Sequence, residues 1–479
     1  MKQLKLYPYQ KEHVAEIKRV FTYAWFCLDQ SLLGLGKTYT AAEISKSYTH
    51  LIVVAPLSVC GKWQSIKDQY RLKNVHSINT FNGIRSIQGL QPKHGLLYRD
   101  PDTDHTFEAT QDYLDLFKNK QTVLLVIDEV QNIKNDSAQF YACKALADEI
   151  RTHKGSRLIS ISGSPIDKPE QSQRMFEFLG FFDVKPDMYP VIETFKQKVH
   201  KAENMDFRQN MSLFEGEFKN LFIRRMPIPD YKTKLTIENA YYPIVPKSDE
   251  ADLERHVARF ADLNLYYKKS KKDKIKILAQ IMIIMQKIEN AKANTMIMAA
   301  EAHLQANPSS KVVILFNYTD NIKRAVKKLK YLNPLMINGT ITGVVRQKRL
   351  NLFQAPSLKH RLLIGNLSVL STGIDLDDKN GAFPRFCIAN AMLNSITLYQ
   401  LGHRFRRIDT KSDALVQFVF GDQSGGNENF LLKNLSRKRD VLQGVADDQK
   451  AAGIPFPGGY HDNYINDSPM RAAIRRVLF

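Results

Sequence analysis

A chain of 479 residues is too long for one ordinary domain and long enough for two or three with sizeable cores. Hydrophobic residues at 43% and charged residues at 25% exclude collagen-like, disordered and disulfide-scaffold proteins. With 69 Lys and Arg against 49 Asp and Glu, the net charge of +20 suits an extended polyanion such as nucleic acid.

In chain order, the apolar segment 21–28 leads into Ser31-Leu32-Leu33-Gly34-Leu35-Gly36-Lys37-Thr38 and then into the helix-compatible Ala41-Ala42-Glu43-Ile44. Strand, glycine-rich turn and helix in that order make a phosphate loop. Gly34, Gly36 and the small residues around them let backbone N–H groups curl around a β-phosphate. Lys37 neutralises the β/γ oxygens, and the Thr38 hydroxyl ligates Mg²⁺ at the helix N-terminus. Ser31 stands where the usual pattern has its first glycine. Apolar runs at 51–55, 123–127 and 158–161 end in polar or Gly/Pro residues, as buried central strands do. Asp128-Glu129 ends the second of these, where an Asp can hold the magnesium through water and a neighbouring Glu can polarise the attacking water. Alone, an acidic pair after a buried strand is as often the solvated start of a loop; the phosphate loop upstream gives it weight.

Residues 232–307 are mostly helical in pattern, as in the apolar stretch 275–285, and 268–276 is strongly basic; the segment reads as a helical bridge. A second series of strand-like runs follows at 312–316, 362–364, 386–389 and 415–419. Gln400-Leu401-Gly402-His403-Arg404-Phe405-Arg406-Arg407-Ile408 puts Arg404 and Arg407 three apart, on one face if the segment is helical. Arginines supplied from a second domain stabilise the charge on a transferring phosphoryl group. In isolation the segment reads as a basic surface helix. Beyond Phe420, 421–426 is loop-like, 430–442 a basic helix and 454–459 a break. The expected division is 1–231, an ATP-binding lobe; 232–307, a helical inter-lobe region; 308–425, a second lobe; and 426–479, a C-terminal extension. The expected fold class is α/β with two parallel-sheet lobes.

In this order and spacing the segments resemble a superfamily 2 helicase of the Swi/Snf-type branch, over roughly residues 6–420, in a compact form similar to viral and bacteriophage versions. Leu6-Tyr7-Pro8-Tyr9-Gln10 resembles the adenine-contacting leader, and Gly34-Leu35-Gly36-Lys37-Thr38 resembles motif I. Val53-Val54-Ala55-Pro56-Leu57-Ser58 with Trp63 is similar to motif Ia, Asp128 to Asn135 to motif II, and Ser162-Gly163-Ser164-Pro165-Ile166 to motif III. Leu221-Phe222-Ile223-Arg224-Arg225 resembles the passage into the inter-lobe region. In the second lobe 312–316 is similar to motif IV, Ile337-Asn338-Gly339-Thr340 with Arg346 and Phe353 to the DGxT…R…F stretch, 370–376 to motif V, and Gln400, Arg404, Arg407 and Ile408 to motif VI.

The resemblance implies two RecA-like lobes, ATP with Mg²⁺ in their cleft, Gln10 on the adenine and both Arg404 and Arg407 as arginine fingers. It also implies that motifs Ia, IV and V face the nucleic acid. Ser58, Lys62, Asn317 and Thr372 are the candidates there, because hydroxyl, amide and ammonium donors suit phosphate oxygens. The chain departs from the family in lacking the acidic pair before motif I, in placing Gln131 at the usual His of motif II, and in lacking the double glycine of motif V.

The expected activity is an ATP-dependent DNA helicase or translocase, remodelling or unwinding forked or branched DNA beside replication, recombination, repair or transcription proteins. An RNA helicase or transcription-associated ATPase is the first alternative; a non-hydrolysing nucleic-acid clamp is the second, against which the intact Lys37, Asp128, Glu129, Arg404 and Arg407 argue. Cys27, Cys60, Cys143 and Cys387 lie far apart without a CxxC pair, so no zinc site or disulfide framework is expected. Residues 1–10 show no signal core, and no run approaches the roughly 18 apolar residues of a membrane span. The expectation is an intracellular, soluble monomer.

Overall fold

The computed structural model describes residues 4–85, 87–88, 91–92, 95–99, 106–203, 207–269, 274–371, 374–391 and 395–421. Thr372, the middle of the basic 268–276 stretch and the expected C-terminal extension 426–479 lie outside the described residues. The chain divides into two compact units, with the break between Pro229 and Asp230. Among the described residues no helix is long and apolar enough to cross a membrane.

In the first unit, helix α1 (Pro8–Val20) precedes strand β1 (Phe26–Asp29), helix α2 (Lys37–Ser45), β2 (His50–Ala55), α3 (Leu57–Tyr70) and β3 (Val75–Thr80). After the segment 81–122 come β4 (Val123–Asp128), α4 (Ala138–Thr152), β5 (Arg157–Ile161), α5 (Glu170–Phe178) and the short β6 (Ile223–Arg224). The six strands form one sheet in the order β6-β1-β5-β4-β2-β3, every neighbouring pair parallel. β4 is buried at each of its positions, which is why its sequence is an unbroken apolar run rather than an alternation. The carboxyl end of such a sheet is where its loops present chemistry, and both the 30–36 loop and Asp128 lie at that end.

The second unit opens with β7 (Leu235–Tyr242), followed by the long helices α6 (Lys247–Lys269) and α7 (Lys274–Ala306). Then come β8 (Lys311–Phe316), α8 (Thr319–Lys328), β9 (Leu335–Ile337), α9 (Gly343–Gln354), β10 (Leu362–Asn366), α10 (Leu367–Leu370), β11 (Arg385–Asn390), α11 (Ser395–Gly402) and β12 (Ala414–Gly421). Its sheet runs β7-β12-β11-β8-β10-β9, again all parallel. Successive strand residues part to opposite faces. Val313, Leu315, Leu363 and Cys387 pack with Leu350 and Phe353 of α9 and Leu398 of α11, while Val312, Ile314, Leu362 and Phe386 pack with Met296 and Ile297 of α7 and Ile322 of α8. A six-stranded parallel sheet in each unit, built by βα alternation and covered on both faces by helices in the second, is the expected α/β, RecA-like architecture.

The region 232–307, expected to be mostly helical, also holds a strand: β7 pairs with β12 along Leu235 to Tyr242 and belongs to the second sheet. Its sequence, LTIENAYY, hides the strand because the polar Glu238 and Asn239 interrupt the apolar pattern of an edge strand. The helical part is divided as well. The second half of α7 packs on the sheet, whereas its first half and α6 make a core of their own from Leu253, Val257, Phe260, Ile277, Ile281 and Met285.

Candidate nucleotide site

The loop between β1 and α2 turns twice through the left-handed region, at Gly34 (φ 92°) and Gly36 (φ 90°), which non-glycine residues rarely adopt. Gly36 is also pressed from outside: a Cβ there would collide with Nε2 of Gln10. That amide donates to Leu35 O at 2.7 Å while its Oε1 accepts from Tyr7 N at 3.0 Å. Gln10 is therefore fastened to the outgoing limb of the loop, with the Tyr9 hydroxyl on the same carbonyl at 3.3 Å. Lys37 and Thr38 open α2, both buried. The Lys37 ammonium donates to Ser31 O at 2.7 Å and Leu32 O at 3.1 Å, so it folds back over the loop.

The incoming limb has its own anchor. Asp29 Oδ1 accepts from Ser31 N (3.0 Å) and from the Ser31 hydroxyl (2.6 Å), and its Oδ2 lies 3.1 Å from His13 Nε2. Met226 N in turn donates to Ser31 Oγ at 2.8 Å. Burial pushes the Asp29 carboxyl up, but His13, Lys37 and the Ser31 hydroxyl outweigh it and hold the group below its ordinary value. Gln10 and His13, three apart on α1, thus grip the two limbs. Asp29 and His13 are not marked in the sequence: the family's acidic pair before the glycines is absent, and Asp29 shows only as the end of an apolar run.

Asp128 and Glu129 end β4 with 4% and 8% of their surfaces exposed. The Trp63 indole, on the buried face of α3 with Val59 and Ile66, donates to Asp128 Oδ2 at 2.9 Å. Burial, and then the neighbouring Glu129 charge, push the Asp128 carboxyl up to about 6, against the Trp63 hydrogen bond and the charges of Lys62 and Lys37. Glu129 sits at φ 62°, a left-handed conformation that costs a non-glycine residue roughly 1–2 kcal/mol. It is held there by Gln131, whose Nε2 donates to Glu129 Oε2 at 2.6 Å, and by Asn132, whose Nδ2 donates to Glu129 O at 2.8 Å. Gln131 thereby acts as a side-chain anchor at the position where the family has His. Motif III comes close behind: Ser162 N donates to Asp29 O at 3.1 Å, and Lys134 pairs with Asp167 at 2.6 Å. A buried carboxyl whose proton affinity is raised by burial and by the adjacent Glu129 charge is an oxygen donor that a hard divalent cation suits; with the Thr38 hydroxyl, Asp128 fits magnesium.

Of the nucleic-acid candidates in this unit, Ser58 and Lys62 lie four apart on α3. Ser58 is half-buried. Lys62 is exposed, but its ammonium stands 5.2 Å from the centre of the Tyr39 ring and its charge reaches Asp128, which places it toward the nucleotide residues.

In the second unit α11 ends at Gly402, so the helical premise for Arg404 and Arg407 does not hold: Arg404 lies in the turn that follows and Arg407 in irregular backbone after it. Gly402 ends the helix against β7, where a Cβ would collide with Ile237. Arg404 Nε donates to Ser371 O at 2.7 Å. Arg407 donates through Nε and Nη2 to Asp375 Oδ1, at 3.1 and 2.8 Å, and its buried Nη1 has no hydrogen-bond partner among the described residues. Motifs V and VI are thus knit together, and the arginines are held by a carbonyl and a carboxylate. Asn317 is half-buried, with its Nδ2 donating to Glu289 at 2.8 Å, so its amide is committed inward. Gln400 is buried at 2% exposure. Thr372 lies outside the described residues.

Two parallel-sheet lobes, the first carrying a glycine-framed loop ahead of Lys37-Thr38 and an acidic pair at the end of a buried strand, define a helicase-type phosphate-loop ATPase. Residues 30–293, more than half of the chain, match the SNF2-related domain family, and the chain belongs to that family. It is similar to a protein of Acanthamoeba polyphaga mimivirus named as an ATP-dependent RNA helicase, L364, with 22% identity over 472 residues, covering 94% of this chain and 83% of that protein. A solved Sulfolobus solfataricus SWI2/SNF2 ATPase core in complex with dsDNA is 17% identical; the match covers 92% of this chain and 97% of that one, with a TM-score of 0.30.

Proposed function

We propose that the chain is an ATP-driven DNA translocase that remodels or unwinds forked or branched DNA. The observation that carries this is the glycine-framed loop gripped at both limbs by α1, with buried Asp128 and Glu129 at the end of β4. Gly34, Gly36, Lys37 and Thr38 bind the phosphates, and the Lys37 ammonium exchanges the Ser31 and Leu32 carbonyls for β/γ oxygens when ATP arrives. Gln10 reads the adenine edge and is already tied to Leu35, so nucleotide identity and loop shape are linked through one side chain. Thr38 and Asp128 hold Mg²⁺, which when bound neutralises charge on the phosphates. Glu129, fixed in its left-handed turn, orients the attacking water.

Arg404 and Arg407 act on the transferring phosphoryl group; the loss of either finger costs about 10³-fold or more in turnover. The buried, unpartnered Nη1 of Arg407 favours this role. Ser58 meets the nucleic-acid backbone in the first unit and Thr372 in the second, while Lys62, turned toward Tyr39 and Asp128, lies nearer the nucleotide residues. Membership of the SNF2-related family and the Asn132-Ile133-Lys134-Asn135 tail of motif II favour DNA. RNA is the second reading, favoured by the name of the mimivirus relative.

The test of movement is displacement of a third strand from triplex DNA. The wild-type chain should release it in an ATP-dependent way and a Lys37→Ala variant should not. Normal ATP turnover without any release would contradict translocation.

A further inference from the structure

The second unit buries a carboxylate that plays no part in the site described so far. Glu289, on α7, has no exposed surface. Its Oε2 accepts from Asn317 N (2.7 Å), Asn317 Nδ2 (2.8 Å) and Asn390 Nδ2 (2.9 Å), and its Oε1 from Tyr318 N (3.0 Å) and Asn321 Nδ2 (3.0 Å). These donors come from three places: the residues that follow β8, the last residue of β11, and the first turn of α8. The neighbouring strand β10 joins them through its last residue, since Asn366 Nδ2 donates to Asn317 O at 2.8 Å. Three adjacent parallel strands, β10, β8 and β11, therefore have their carboxyl ends fastened around one side chain.

From there the connections continue toward the arginines. Asn366 Oδ1 accepts from Ser368 N at 3.1 Å and caps α10; that helix ends at Ser371, whose carbonyl holds Arg404 Nε at 2.7 Å. Arg404 O accepts in turn from Leu376 N at 2.8 Å. We infer that Glu289 is a positioning residue for ATP turnover: it fixes the ends of β8, β10 and β11, so that the loop after β10 presents Arg404 in a working orientation. The inference rests on the proposed role of Arg404.

The chemistry requires a carboxylate. Each oxygen receives one backbone N–H, Asn317 N on one and Tyr318 N on the other, and a backbone N–H cannot turn round to accept. A glutamine would aim its own NH₂ at one of them and leave a buried donor unsatisfied, whereas the asparagine amides could adjust. Glu289→Gln thus keeps the volume of the side chain and disturbs the geometry of the strand ends, which separates positioning from packing.

The experiment compares Glu289→Gln, Arg404→Ala and the double variant in the full chain, by thermal unfolding and by ATPase kinetics with saturating duplex DNA. The expected result for Glu289→Gln is a fall in kcat of about ten-fold or more, with the KM for ATP unchanged within about two-fold. The double variant should be no slower than Arg404→Ala alone, because both changes act through the same group. Should Glu289→Gln fail to fold, Asn390→Ala, which removes a single donor, is expected to lower kcat in the same direction by less. A lowered melting temperature with normal kcat per folded molecule would make Glu289 a structural cap only and overturn the inference. Multiplying effects in the double variant would overturn it too. If Arg404→Ala itself turns over normally, the underlying reading falls and the inference with it; a crippled Arg404→Ala beside a normal Glu289→Gln sinks the inference alone.

Discussion

Trp63 Nε1 donates a 2.9 Å hydrogen bond to Asp128 Oδ2, joining the helix after the second strand to the carboxylate that ends the fourth. This bond lowers the proton affinity of a carboxyl that burial and Glu129 otherwise drive up to about 6. Protons and Mg²⁺ compete for the same group, so the Mg²⁺ concentration that half-saturates ATPase activity should climb as pH falls through about 6. Trp63→Phe removes the donor, and the climb should then begin at higher pH. Magnesium titrations from pH ~5.5 to ~8 check this; identical curves for the two proteins would contradict it.

The same carboxyl makes a stability prediction of opposite sign to its chemical value. A raised folded-state pKa means that Asp128 contributes stability below its ordinary value of 3.8 and loses it as pH rises through about 6. Without nucleotide or Mg²⁺, Asp128→Asn should therefore be more stable than the wild type at pH ~7 and above, by about 1–3 kcal/mol, with the gain shrinking toward pH ~4. ATP turnover should be lost at every pH. Denaturant unfolding of the two proteins across that range measures the difference.

Gly36 is asked for two things at once, a left-handed φ and room for Gln10. Gly36→Ala should weaken ATP binding by at least ten-fold, while the smaller change Gln10→Ala should weaken adenine discrimination more than phosphate binding. Combining them removes the collision and leaves the backbone strain of roughly 1–2 kcal/mol, so the double variant should recover part of the loss of Gly36→Ala. Binding of fluorescent ATP and GTP analogues reads both effects.

His13 and Asp29 form a buried pair with 2% and 1% of their surfaces exposed. Removing His13 takes one hydrogen-bonding partner from a buried carboxylate that Lys37 and Ser31 still hold, a loss that typically costs about 1–3 kcal/mol. His13→Ala should show a loss of this size in equilibrium unfolding. It should also raise the KM for ATP, because the incoming limb of the loop loses its anchor. An unfolding curve that superimposes on the wild type would remove the pair from the account.

Much of this was legible in the sequence, and for a physical reason. Central parallel strands are buried on both faces, so 51–55, 123–127, 158–161, 312–316, 362–364, 386–389 and 415–419 stand out as apolar runs, broken only by Ser160 and Gln417, within a residue or two of the strands found. Glycines at Gly34 and Gly36 announced the left-handed turns. The edge strands β7 and β3 did not show, since edges tolerate polar residues such as Glu238, Asn239 and Asn79. Contacts between distant positions were equally silent. Nothing local links His13 to Asp29 or Trp63 to Asp128, and Glu289 gathers partners from 28 to 101 residues away. The left-handed Glu129 was invisible because only the surrounding hydrogen bonds make it tolerable.

In the proposed translocase, DNA stimulates ATP hydrolysis. Steady-state ATPase activity of the purified chain, alone and with single-stranded, duplex and forked DNA and with RNA, beside a Lys37→Ala control, tests it most directly. Duplex or forked DNA should stimulate turnover strongly and RNA little, with no stimulation in the control. Strongest stimulation by RNA, or ATP binding with no turnover under any condition, would contradict it.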